Sequence, residues 1–386
     1  MSDSVLRVLC VFGTRPEAIK MAPVVRELQR RDGRLRARVC VTGQHREMLD
    51  QVLTLFGIVP DHDLKVMRSH QSLSGTSAAI LTGLDPVLAQ EQPDWLVVQG
   101  DTSTAMAAAL AGFYHGVKVA HVEAGLRTGD NHQPFPEEIN RKIVDTLCDL
   151  HFAPTQLARR NLLSEGVSKD HIVVTGNTSI DALHWASQMS EAAAEDPGIV
   201  SGRARVVLVT AHRHESFGSP LEGICLALRR IAERYHDGAQ IVFPVHLNPE
   251  VQQPVQRLLG GIRGISLVPP LDYLHFVRLL KRAYLVLTDS GGIQEEAPAL
   301  GKPILVLRNV TERPEGVDAG TARVVGTDPD RIVSETITLL EDRSAYEAMA
   351  RAVNPYGDGR AADRIVKALT GDSMSEFDEE RRMPEH

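Results

Sequence analysis

Short apolar runs rich in β-branched residues alternate along this chain with longer stretches of helical periodicity, and the alternation stops once and then restarts. The first series is Val5–Phe12, Ala37–Val41, Trp95–Val98, Val117–Val122 and Ile172–Val174. A polar stretch around Glu191–Arg205 separates it from Val206–Val209, Ile241–Val245, Ile265–Val268, Leu285–Leu287 and Ile304–Leu307. Runs that are apolar throughout, rather than at every second position, read as parallel strands covered by helices on both faces. Two series predict an α/β protein of two doubly wound, Rossmann-like domains. The length of 386 residues agrees, since one hydrophobic core stops growing near about 250–300 residues. The expected division is 1–177 for the first domain and 178–354 for the second, with a C-terminal helix at about 355–370 packing back on the first. The remainder, 371–386 (GDSMSEFDEERRMPEH), is polar and charged and is expected to be a disordered tail. Doubly wound sheets bind ligands beyond the carboxyl ends of their strands, so the expected site is a cleft that the two domains face.

Composition narrows the function classes. With 43% hydrophobic and 24% charged residues the chain is of ordinary globular type, and no apolar run approaches the ~18 residues a membrane span needs. The start, MSDSVLRVLCVFG, runs straight into the first strand without the layout of a secretion signal, which suggests the cytoplasm. A net charge of −8 gives no reason to expect nucleic acid, and the cluster Arg26, Arg30, Arg31, Arg34, Arg36 and Arg38 reads as a solvated face. Cys10, Cys40, Cys148 and Cys225 are too far apart for a C-x-x-C motif and read as reduced core residues. Neither G-x-G-x-x-G nor a Walker sequence occurs, and His212 and His214 lack the H-E-x-x-H spacing, so no nicotinamide cofactor and no metal are expected.

Polar residues crowd the ends of the strands. The first strand runs into Gly13-Thr14-Arg15-Pro16-Glu17, delivering Arg15 to a helix N-terminus, where backbone N–H groups and the helix dipole favour a phosphate; a plain cap with a surface arginine has the same pattern. Gln99-Gly100-Asp101-Thr102 follows the third run, and Asp101 is either a site acid or an N-cap. Glu123 stands at the end of an otherwise apolar strand, where an unpaired carboxylate would cost several kcal/mol in order of magnitude. Glu137 opens a helix in Pro136-Glu137-Glu138-Ile139-Asn140-Arg141, with Arg141 one turn on and on the same face. Three acids at strand ends and helix starts of one sheet suit general acid–base work. In the second half, Thr210-Ala211-His212-Arg213 follows a strand, and Asp289-Ser290-Gly291-Gly292 starts a helix fit for a diphosphate, with Glu296 one turn in to accept from ribose hydroxyls. The turn Pro244-Val245-His246-Leu247-Asn248-Pro249 adds a histidine at another strand end.

Taken together, FGTRPEAIKMAP, TGQHREMLDQV, QGDTST, HVEAGLRT, PFPEEINR, TAHRHESFG, PVHLNP and TDSGGIQEEAPALGKP resemble, in order, the motifs of the non-hydrolysing UDP-N-acetylglucosamine 2-epimerases. The resemblance spans Leu6 to about Ala368. It implies the glycosyltransferase-B architecture, no cofactor, and reversible conversion of UDP-N-acetylglucosamine to UDP-N-acetylmannosamine by elimination of UDP to 2-acetamidoglucal and re-addition. Carried over by position, Asp101, Glu123 and Glu137 match the acid–base group. Arg15, Lys20, Arg141 and His212 match groups around the diphosphate and reacting sugar. Ser290, Gly291, Gly292 and Glu296 match the UDP-binding turn, and Phe276 the uracil contact. Some bacterial members bind a second UDP-N-acetylglucosamine as activator, and Gln44, His45, Gln71, Arg213 and His246 match that site. Glu47 and His70 depart from it, standing where activated members carry Gln and Arg. The resemblance also implies a homodimer. Rival readings are the same reaction on a modified sugar such as a UDP-2,3-diacetamido-uronic acid, a glycosyltransferase, a hydrolysing epimerase, and a non-catalytic sugar-nucleotide sensor.

Overall fold

A computed structural model describes residues 5–31, 33–43, 46–67, 71–192, 200, 205–213, 216–235 and 238–379. The chain forms two compact units, Met1–Ala182 with Tyr356–Glu379, and Leu183–Pro355. In the first, the strands are β1 (Leu6–Phe12), β2 (Leu35–Val41), β3 (His62–Asp63), β4 (Trp95–Gln99), β5 (Lys118–Val122), β6 (Leu150–Ala153) and β7 (Ile172–Val174). They pair in the order β3-β2-β1-β4-β5-β6-β7, parallel throughout. In the second, β8 (Arg205–Thr210), β9 (Ala239–Pro244), β10 (Ile265–Val268), β11 (Ala283–Thr288), β12 (Ile304–Val306) and β13 (Ala322–Val324) pair in the order β10-β9-β8-β11-β12-β13, again parallel. The expected α/β class of two doubly wound sheets is what the chain adopts.

Burial explains the composition of the strands. From Val8 to Phe12 every residue of β1 is at most 1% exposed. Leu9 and Val11 pack with Leu96 and Val98 of β4 beneath Ile80 and Leu84 of the helix Leu73–Glu91 and the alanines of Ser103–Tyr114. The second unit repeats the scheme with Val207, Val209, Leu285 and Leu287 against Ile224, Leu228 and Ile231 of Ser219–Tyr235. Strand order reverses between β1 and β4 and between β8 and β11, and at such reversals the flanking loops part and leave the strand ends open to a ligand. Three strands escape the sequence reading. β3 is two polar residues, β13 carries Arg323 in a three-residue run, and β6 follows its preceding helix with only Cys148 and Asp149 between them.

Of the expected tail 371–386, residues 371–379 make specific contacts, and 380–386 lie outside the described residues. The helix Ala361–Thr370 before it buries Ile365, Val366 and Leu369, and Arg31, the C-cap of Arg15–Arg30, reaches Asp363 at 3.2 Å and Asp372 at 2.9 Å. Beyond it, the Phe377 N–H donates to Val174 O at 2.8 Å on the edge strand β7, and its ring packs with Ala153, Leu162 and Val174. Arg159 pairs with Glu376 at 2.9 Å. An aromatic ring, a bond to an open strand edge and ion pairs to Asp372 and Glu376 seat a segment whose composition is that of a tail. The same contacts qualify the arginine cluster: Arg31 joins two elements, Arg38 pairs with Asp61, and Arg26 donates to Phe56 O at 2.8 Å. All four cysteines are free.

Replacing Phe377 with Ala is expected to lower stability by about 3 kcal/mol, read as the denaturant midpoint of the unit it packs on, as for other buried Phe to Ala changes. Truncation after Thr370 should cost at least as much, and an unchanged midpoint in both would mean the segment contributes nothing.

Candidate functional site

The polar residues of the first unit gather where β1, β4 and β5 end. After Phe12 the chain turns at Gly13, where a Cβ would lie 1.9 Å from Thr42 Oγ1, so only glycine fits. Thr14 then caps Arg15–Arg30: its Oγ1 accepts from Glu17 N, while Glu17 Oε2 accepts from Thr14 N at 2.7 Å and Gly13 N at 3.0 Å. Thr102 Oγ1 donates to Glu17 Oε1 at 2.6 Å, which ties the turn after β1 to the turn after β4. Burial pushes the Glu17 carboxyl above its ordinary value, against the hydrogen bonds from Thr102, Thr14 and Gly13. Arg15, the first residue of this helix, is half-buried.

Glu123 follows β5 directly, 8% exposed, with a left-handed φ of 68°. Lys20 Nζ lies 2.5 and 2.7 Å from its two oxygens, Gln99 Nε2 donates to Oε2, and Asn177 Nδ2 donates to Oε1 at 3.2 Å. Lys20, expected among the groups around the diphosphate and reacting sugar, contacts this carboxylate. Asp101 is partly exposed and accepts from Arg141 Nη2, and its carbonyl accepts from Asn140 Nδ2 at 2.9 Å. Glu137 is the first residue of Glu137–Leu147, half-buried, on the helix that Asn140 and Arg141 fasten to Asp101. The expected pairing of Arg141 with the acid one turn back gives way to bonds with Asp101 and, at 3.1 Å, Glu138. Glu138 is fully buried and accepts from Thr128 N and Gly129 N, so of two adjacent acids the second is the structural one. Behind Asp101, buried His121 places Nε2 2.8 Å from Gly100 O and Nδ1 2.6 Å from Asp145 Oδ1. Burial would raise Asp145, but His121 and Arg127 outweigh it and hold the carboxyl below its ordinary value.

The second unit gathers its groups at the ends of β8 and β11, where Thr210 and Thr288 hydroxyls meet at 2.6 Å. Asp289, fully buried, accepts on Oδ2 from the backbone N–H groups of His212 and Arg213, both at 2.8 Å, and from Ser216 Oγ at 3.3 Å. His212 Nδ1 is 3.5 Å from Asp289 Oδ1, and its ring stacks on exposed His246 with centroids 5.7 Å apart. Burial lowers the His212 value most; Asp289 opposes this, and His246 and Arg213 add to it. Ser290 starts the helix Gly291–Ala299 without a cap from its own side chain, Gly291 is buried, and Glu296 is 9% exposed one turn in. Arg313 Nε donates to Glu295 Oε1 at 2.5 Å, and Thr311 to Gln294 at 2.6 Å, holding that helix from behind. Phe276 lies half-buried on Tyr273–Arg282.

Of the positions matched to an activator site, Arg213 lies 3.9 Å from Glu312, Gln71 is half-buried beside the helix cap Ser72, and Gln44 and His45 lie outside the described residues. Sequence reasoning gave no role to Gln99, Asn177, Glu17, Glu138 or Asp289. Asp289 alone carried a usable signal, an acid directly after an apolar strand, as at Glu123. Among the described residues no cluster of three His, Cys, Asp or Glu side chains could hold a metal ion, and no helix is long and apolar enough to cross a membrane.

A profile of the family described as UDP-N-acetylglucosamine 2-epimerase matches residues 26–370. The Escherichia coli K12 protein named UDP-N-acetylglucosamine 2-epimerase is 54% identical over 378 residues, which cover 96% of this chain and all of that one. The crystal structure of UDP-GlcNAc 2-epimerase from Neisseria meningitidis bound to UDP-GlcNAc superposes with a TM-score of 0.87 at 46% identity, over 95% of this chain and 100% of that chain. A Methanocaldococcus jannaschii UDP-GlcNAc 2-epimerase in complex with UDP-GlcNAc and UDP gives 0.79 at 32% identity, over 95% and 100%.

Because its folded-state value lies below the ordinary one, His212 leaves stability unchanged above that ordinary value and lowers it as pH falls through it. An NMR titration should place the His212 midpoint below that of a free histidine, and lower still in Asp289→Asn, which removes the one group that raises it. A midpoint at or above the ordinary value would contradict the burial argument.

Proposed function

The chain belongs to the UDP-N-acetylglucosamine 2-epimerase family, a family of isomerases, and on that premise we propose that it interconverts UDP-N-acetylglucosamine and UDP-N-acetylmannosamine by eliminating and re-adding UDP. A carboxylate takes the C2 proton, the C2–H electron pair becomes the C1–C2 double bond, and the C1–O bond breaks with its electrons passing to UDP. The product is 2-acetamidoglucal. In the return step a β-phosphate oxygen of UDP attacks C1 while C2 takes a proton on its opposite face. No hydride moves, so the reaction is balanced without a redox partner.

The observation that carries this reading is the gathering of ionisable groups at the ends of β4 and β5: Glu123 against Lys20, Asp101 against Arg141, and Glu137 opening the helix that Arg141 belongs to. Inversion at carbon needs proton carriers on both faces of the ring, which is a reason for more than one carboxylate. The C2 proton is weakly acidic, so leaving-group departure must run ahead of its removal, and charge accumulates on the diphosphate. The uncapped helix start at Ser290-Gly291-Gly292, Arg15 at a second helix start, and His212 are the groups suited to receive that charge. Glu296 and Phe276 are the proposed ribose and uracil contacts. Burial, the largest influence on His212, favours its neutral form, which suits a hydrogen-bond donor or proton carrier.

In deuterated water, UDP-N-acetylglucosamine is expected to acquire deuterium at C2 with UDP still attached and to equilibrate with the manno epimer, followed by NMR. Release of free N-acetylmannosamine would indicate hydrolysis instead, and no exchange at all would refute the assignment for this sugar. Asp101→Asn, Glu123→Gln and Glu137→Gln should each lower kcat by about 10²-fold or more while UDP affinity changes little, since general acid–base groups contribute on that scale. Rates at the wild-type level in all three would overturn the proposed proton carriers.

A further inference from the structure

Glu123 is held from three directions, and two of the three holders have no part in the reaction as written above. Lys20 comes from the helix after β1, Gln99 is the last residue of β4, and Asn177 lies just beyond β7, across β5 and β6 in the sheet. All three are donors, and between them they reach both carboxylate oxygens. Gln99 is 3% and Asn177 2% exposed, so water does not compete for the bonds. Hydrogen bonds given to a carboxylate favour its charged form. The backbone at Glu123 is itself in the left-handed region, so the side chain leaves the strand at an angle that an extended residue would not give.

Asn177 has a second set of bonds. Its Oδ1 accepts from Ser179 N at 2.9 Å, which fixes which end of the amide faces Glu123. Its N–H donates to Tyr356 O at 2.7 Å, and a Cβ on neighbouring Gly176 would lie 3.2 Å from Gly357 Cα. The chain leaves the first unit after Ala182 and re-enters it at Tyr356, so Asn177 is bonded to the returning segment close to both crossings. The same junction is stitched by Asp181, which accepts from Ala361 N and Ala362 N at 3.1 and 2.9 Å, and by Arg364, which donates to Thr175 O at 3.0 Å.

We propose that Gln99 and Asn177 are positioning residues that hold Glu123 ionised and aimed as the base for C2, Asn177 being itself held by the segment that returns to the first unit at Tyr356. The inference rests on the epimerase reading. Among the described residues, the charged and titratable groups around Glu123 include Lys20, in contact; Glu17, bonded to Thr102; Asp101, bonded to Arg141; His121 with Asp145; and, past Asn177, Asp181 and Arg364 with their own partners. Loss of a donor, or its exchange for an acceptor, therefore weakens the hold on the charged form of Glu123.

The test uses the full-length enzyme with Asn177→Asp, which keeps shape but turns the donor into a like charge, and Gln99→Met, which keeps length without a donor. Both are expected to lower kcat about ten- to hundredfold with KM within about threefold, and to move the acid limb of the kcat–pH profile to higher pH, further for Asn177→Asp. Asn177→Ser, which keeps a donor, should recover part of the rate. A merely structural role would lower the melting temperature and leave the limb in place. Rates within twofold of wild type with an unmoved limb would overturn the proposal; should Asn177→Asp fail to fold, Gln99→Met decides by the same criteria. Wild-type exchange at C2 separates the two readings, since its absence removes the epimerase assignment, while its presence with unaffected variants removes only the positioning role.

Discussion

A carboxylate that is 8% exposed at the end of an apolar strand can stay charged only if other elements bring donors to it, and the first unit is arranged so that they do. Glu123 draws Lys20 from the first helix, Gln99 from the neighbouring strand and Asn177 from beyond the sheet edge. Each donor is placed by ordinary structural means: a capping box starts the helix of Lys20, parallel pairing sets Gln99 opposite Val122, and Asn177 is fixed by its own backbone bonds. The acid, in turn, gives those three elements a common anchor. Truncating Lys20 would leave the charge without its ion pair, and truncating Gln99 or Asn177 would remove a hydrogen bond that favours it.

The second unit solves a related problem with the opposite output. Asp289 is also a buried acid at a strand end, but its donors are the backbone N–H groups of His212 and Arg213 and the Ser216 hydroxyl. It is spent on shaping a loop, and it leaves the His212 ring close by, lowered by burial and stacked on His246. Two buried acids, each directly after a strand of its own sheet, thus carry different burdens. One is held for chemistry by side chains; the other holds a turn in place through main chain.

Strands long enough to bury both faces, such as β1, β8 and β11, were legible because nothing but a covered parallel sheet explains continuous runs of valine and leucine. The motif acids were legible because a carboxylate after such a run needs a reason. What stayed hidden was anything set by neighbours far away in sequence: that Glu138 rather than Glu137 takes the buried place beside Thr128, that Lys20 faces Glu123, and that Asn177 completes the set. The two-residue β3 has no periodicity to read, and the seat of Phe377 depends on an edge strand more than two hundred residues earlier, which local composition cannot announce.

The return of the chain to its first unit has a consequence for how the protein comes into being. The stretch Leu183–Pro355 is continuous, so its sheet can close as soon as it clears the ribosome. The first-made sheet cannot finish so early. The Phe377 that covers its edge at Val174, its helix partner for Arg31 and the Tyr356 carbonyl that receives Asn177 all follow the second unit in sequence. The half that is translated first is therefore completed only after the second unit has been made, and the surroundings of Glu123 wait on Tyr356.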